Sequence, residues 1–63
     1  MTKEATRAKQ VGVLYMRVCY AEDLVRKVND RHHKDGIVNQ KSLDDIDELL
    51  AEGRQAIKIL RTT

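Results

Sequence analysis

Proline, tryptophan and phenylalanine are all absent from this 63-residue chain, and glycine occurs only at positions 12, 36 and 53. Without proline nothing in the backbone forces a break, so long uninterrupted helices are allowed. Tyr15 and Tyr20 are the only aromatic residues, which leaves any core to aliphatic side chains. A lone cysteine, Cys19, excludes an internal disulfide and fits a reduced, cytoplasmic setting. No set of Cys and His residues offers four ligands to a structural zinc. A domain this small buries only about 60% of its unfolded surface and ordinarily needs a staple or an associate. With neither disulfide nor metal, association is expected. A second copy is the first candidate, because closed two-fold homo-oligomers are the commonest assemblies.

Long hydrophobic runs are also lacking. The longest apolar stretch, residues 11–21, is interrupted by Arg17 and followed by Glu22 and Asp23. It is well short of the roughly 20 residues that span a bilayer, and no small-residue cleavage pattern follows it. No membrane segment and no targeting segment are expected. Charge of one sign is lacking too. Twelve Lys and Arg against ten Asp and Glu leave a formal net charge of +2, a balance too even to demand a nucleic-acid partner. Charged residues make up 35% of the chain, with the signs mixed as on a solvated helix surface.

What is present is a period. Val11, Leu14, Val18, Ala21, Val25 and Val28 follow one another at alternating spacings of three and four. Leu43, Ile46, Leu50, Gly53, Ile57 and Leu60 repeat the same rhythm. Each is a helical seam three heptads long. Between them, Lys34-Asp35-Gly36-Ile37-Val38-Asn39 carries the only mid-chain stop signals: Gly36 suits a left-handed helix end, and Asn39 suits the cap of the next helix, with Ser42 as a competing cap. The spacing predicts one all-α domain over residues 1–63. Its helix one runs over about 3–34, its turn over about 35–39 and its helix two over about 40–61. A connection this short makes the helices antiparallel neighbours. Asp44, Asp45, Asp47 and Glu48 at the start of helix two, with Arg54, Lys58 and Arg61 towards its end, complement the helix dipole.

A simple hairpin needs one apolar stripe per helix, and helix one has more. Outside its seam lie Val13, Tyr15, Met16, Cys19 and Tyr20; helix two adds Leu49, Ala56 and Ile59. A helix apolar all round is buried all round. The expected assembly is therefore a homodimer forming a four-helix bundle. Its self-association interface is drawn from Val11, Val13, Leu14, Tyr15, Met16, Val18, Tyr20, Leu49 and Ile59.

Sites of chemistry are few. Setting Gly36 at the sixth position of a calcium loop puts Arg31 first and Ser42 twelfth, where carboxylates must ligate, so the loop reads as a plain glycine cap. His32 and His33, adjacent on a helix, point about 100° apart and do not share one metal ion. Cys19, between Val18 and Tyr20, reads as a small apolar side chain. The run of four acids reads as a solvated helix start. No catalytic residue, cofactor or metal is expected. An antiparallel hairpin does bring Lys3, Arg7 and Lys9 beside Arg54, Lys58 and Arg61, a basic end able to meet phosphates or an acidic protein patch. The expected function is that of a small non-enzymatic interaction protein, an adaptor or inhibitor acting on a macromolecular partner, with a protein as the favoured partner. The alternative is a small RNA- or DNA-binding regulator using the basic end.

Overall fold

The computed structural model describes residues 2–63; Met1, which opens the 1–63 domain span, lies outside the described residues. Two helices, α1 (Lys3–Asp35) and α2 (Gln40–Arg61), pack side by side in a rod of 50 × 14 × 14 Å. They run antiparallel: Arg17 of α1 meets Glu52 of α2, and Arg7 donates to the carbonyl of Thr63 at 2.8 Å. By that register Gln40 lies level with Asn29, so α1 extends past the start of α2. Every residue from 29 to 41 is exposed.

Each helix end has a local cause. Thr2 caps α1, its hydroxyl accepting from the amide of Ala5 at 3.1 Å, which satisfies a donor the first turn leaves free. Gly36 closes α1 at φ 69°, with its N–H donating to the carbonyl of His32 at 2.9 Å. That left-handed geometry favours glycine because a Cβ would crowd the following carbonyl. Asn39 caps α2 through its side-chain oxygen, which accepts from the amide of Lys41 at 2.9 Å. The competing cap, Ser42, sits inside the helix. The first turn of α2 consequently holds no acid. Asp44, Asp45, Asp47 and Glu48 begin one turn later, where the dipole has faded; Lys41 pairs with Asp45 at 3.5 Å instead.

Packing corrects the seams by half. In α1 the residues turned to the partner helix are Gln10, Leu14, Arg17, Ala21, Leu24 and Val28; in α2 they are Ser42, Ile46, Leu49, Gly53, Ala56 and Leu60. One row of each expected seam (Leu14, Ala21, Val28 and Ile46, Gly53, Leu60) does face inward. The other rows do not: Val11, Val18 and Val25 are 55%, 46% and 50% exposed, and Leu43 and Leu50 are 38% and 43% exposed. Small residues explain the choice. Ala21, Gly53 and Ala56 are buried, and they let the two backbones approach where valines would hold them apart. The core is thin, with Ala21, Ile46 and Ala56 as its buried hydrophobic side chains.

Gly53 shows how close that approach is. The side chain facing it is Leu14: a Cβ built at Gly53 would lie 3.7 Å from Leu14 Cδ1, an ordinary contact. Alanine therefore fits without displacing anything. Gly53→Ala is expected to stabilise the fold by about 0.5–1 kcal/mol through helix propensity, read as a raised midpoint in urea unfolding. Gly53→Leu, by contrast, would push against Leu14 and lower it.

Candidate functional site

The hairpin has two broad sides, and helical periodicity sorts the chain between them. On the first side α1 presents Val11, Tyr15, Val18 and Val25, and α2 presents Leu43, Leu50 and Ile57. Leu14, Val18, Leu50, Gly53, Arg54 and Ile57 line one shallow groove there, and Val11, Leu14, Tyr15, Val18, Cys19 and Glu22 line a second. Both helices thus contribute apolar side chains to one continuous surface. The valines and leucines recur every seven residues, so on each helix they form a straight row along the rod. Polar residues border the rows: Glu22 on α1, and Asp47 and Arg54 on α2.

The second side is different in kind. Its groove is lined by Tyr20, Asp23, Leu24, Asp45, Glu48, Leu49 and Glu52. Three of its four carboxylates hold cations of this chain: Asp23 pairs with Lys27 at 3.3 Å, Asp45 with Lys41, and Glu52 with Arg17. The Arg17–Glu52 pair bridges the two helices at the rim of the seam. With both side chains a third or more exposed, it contributes at most about 1 kcal/mol.

The residues expected to mediate self-association divide between these surfaces. Val11, Tyr15 and Val18 lie together on the first side, with the inward-facing Leu14 at the floor of its grooves. Tyr20 and Leu49 line the second groove, and Val13 and Ile59 lie towards that side by register, half-buried. Met16 points outward, 47% exposed. No single flat partner touches all nine. Conversely Val25, Leu43, Leu50 and Ile57, which the heptads assign to the contact between α1 and α2, belong to the first side. The signal was in the sequence as the three-four alternation itself: two neighbouring rows on a helix can serve two neighbouring helices.

The six expected cations are all exposed, and among the described residues none of them forms an ion pair. They are not one cluster. Arg54, Lys58 and Arg61 follow one another at spacings of four and three and form a row bordering the first side, with Arg7 alongside through its bond to Thr63. Lys9, two residues beyond Arg7, is turned about 200° from it, and Lys3 sits at the start of α1.

Elsewhere chemistry is sparse. Among the described residues no group of three or more His, Cys, Asp or Glu is placed to hold a metal ion. His32 and His33 are exposed, their rings 6.2 Å apart and edge-on. Cys19 is exposed on the flank of the first side. No helix among the described residues is long and apolar enough to cross a membrane. Protein-family models, curated proteins and solved structures were each compared with this chain, and none matches it.

Proposed function

We propose that the chain is a non-enzymatic interaction protein that pairs with a second copy through its apolar side to form a four-helix bundle, and acts by binding a macromolecular partner, most simply another protein. The observation that carries this reading is the exposed surface of Val11, Val18, Val25, Leu43 and Leu50, left 38% to 55% open beside a core whose buried hydrophobic side chains are two alanines and one isoleucine. Fully burying one such side chain is worth about 1.5–3 kcal/mol. The hairpin alone therefore leaves part of that stabilisation unrealised at each of five positions, and a surface of this extent left in water is an aggregation hazard. Covering the face with a copy of itself ends the exposure in one closed contact.

Sedimentation equilibrium tests the reading. The expected result at micromolar concentration is a species of twice the 7.3 kDa chain mass. A folded monomer throughout that range would remove self-association from the account.

A second reading rests on the row Arg54, Lys58 and Arg61 with Arg7 beside it. Three cations on one helix edge can follow a phosphate backbone. If nucleic acid binds there, the slope of log K against log salt should be roughly 0.9 per phosphate contact on duplex DNA, and Lys58→Ala should remove about one such contact. The measurement is fluorescence anisotropy with purified RNA and DNA. No binding at about 50 mM salt, where such contacts are strong, would leave protein recognition alone.

A further inference from the structure

We propose that the second copy docks antiparallel, about a two-fold axis perpendicular to the rod at the level of Val18 and Leu50, so that α1 lies on the copy's α1 and α2 on the copy's α2. This rests on the self-association reading and adds a direction and a register to it.

The first argument is geometric. Val18 and Leu50 lie within one residue of the same level by the register of Arg17 on Glu52, and both line the same groove. Val11 and Val25 stand seven residues either side of Val18; Leu43 and Ile57 stand seven either side of Leu50. A two-fold axis at that level therefore sets Val11 on the copy's Val25, Leu43 on the copy's Ile57, and Val18 and Leu50 each on themselves. The same level is close to the middle of α1 (Lys3–Asp35) and of α2 (Gln40–Arg61), so each helix overlaps its copy along its whole length. With the copies parallel, α1 would lie on the copy's α2, and the part of α1 beyond Asn29 would find nothing to cover it. The face measures 50 Å by 14 Å, about 700 Å², comparable with the roughly 800 Å² per partner of a standard interface.

The second argument is charge. On α2 the rows are bordered by Asp47 and by the cations Arg54, Lys58 and Arg61. Antiparallel copies place Asp47 against the copy's Arg54, twice by symmetry. More broadly, they set the acidic half of α2 (Asp44, Asp47) along the basic half of the copy (Arg54, Lys58). Parallel copies place Asp47 level with the copy's Glu22, by the register of Arg17 on Glu52, and that carboxylate already holds Arg26 of its own helix at 2.6 Å, so Asp47 gains no free cation there. One orientation brings Asp47 to Arg54, which forms no ion pair among the described residues; the other brings it to a carboxylate already paired.

The two orientations answer one substitution with opposite signs. Asp47→Arg faces the copy's Arg54 in the antiparallel dimer and should raise its dissociation constant about tenfold, as two pairs turn from attractive to repulsive. Asp47→Arg combined with Arg54→Asp should restore it. In a parallel dimer Asp47→Arg would meet Glu22 and tighten association instead. A distance measurement decides independently. With Cys19→Ser and a nitroxide on Lys34→Cys, near the end of α1, antiparallel copies hold the two labels about 50 Å apart, at 1.5 Å per residue from the axis. Parallel copies hold them within about 30 Å, the width of a bundle plus the label arms. A dimer by sedimentation with the short distance, or with tightening by Asp47→Arg, overturns the antiparallel register and keeps self-association. A chain that stays monomeric overturns both.

Discussion

Ile46→Ala is expected to lower stability by about 2–5 kcal/mol, the usual loss for a buried isoleucine cut to alanine. Ile46 is 9% exposed and is the large member of the buried set, its companions being Ala21 and Ala56. A core of this size supplies only about 3–5 kcal/mol of net stability, so the change should leave the chain largely unfolded at room temperature. Circular dichroism during urea or thermal unfolding reads it directly. Lys34→Ala, at an exposed position in the last turn of α1, is the control and should stay within about 0.5 kcal/mol. Equal losses from the two would mean that α1 and α2 do not pack through Ile46.

Leu50→Asp is expected to act on association. In the isolated hairpin Leu50 is 43% exposed, so a carboxylate there meets water and disturbs little. In the proposed antiparallel dimer it would sit on the two-fold axis, where two carboxylates would share one apolar layer. Burying unpaired like charges costs several kcal/mol, and a loss of about 3 kcal/mol already raises the dissociation constant more than a hundredfold. Sedimentation should report monomer where the parent chain is dimeric. Retention of the dimer would show that Leu50 lies outside the contact. The pairing of the two substitutions is informative: Ile46→Ala removes the hairpin's own packing, whereas Leu50→Asp bears on the proposed contact over the adjacent row.

The two-helix layout was legible because each of its signals is local. Gly36 closes α1 through a backbone geometry that the neighbouring residues cannot adopt as easily, and Asn39 starts α2 through a bond to an amide two residues on. Capping needs no knowledge of the rest of the molecule. The basic row was legible in the same way, since residues 54, 58 and 61 share an edge on any helix. The split between Arg7 and Lys9 was legible too, since periodicity alone turns them to opposite sides of α1; only the structure showed that Arg7 reaches the carbonyl of Thr63 at the end of the basic row.

By itself the sequence determined that this chain makes two helices joined by a glycine-capped turn, and that each helix carries two adjacent rows of apolar residues at heptad spacing. Only the tertiary structure decided which row faces inward. The heptad pattern weights Val18 and Ala21, or Leu50 and Gly53, alike, because it records hydrophobicity and not size. Two helices packed closely prefer the side where Ala21, Gly53 and Ala56 let the backbones approach. That preference admits Arg17 and Glu52 to the rim of the seam as an ion pair. It also leaves the rows of Val11, Val18 and Val25 and of Leu43 and Leu50 facing away, on the one surface of the rod where a second copy would bury them.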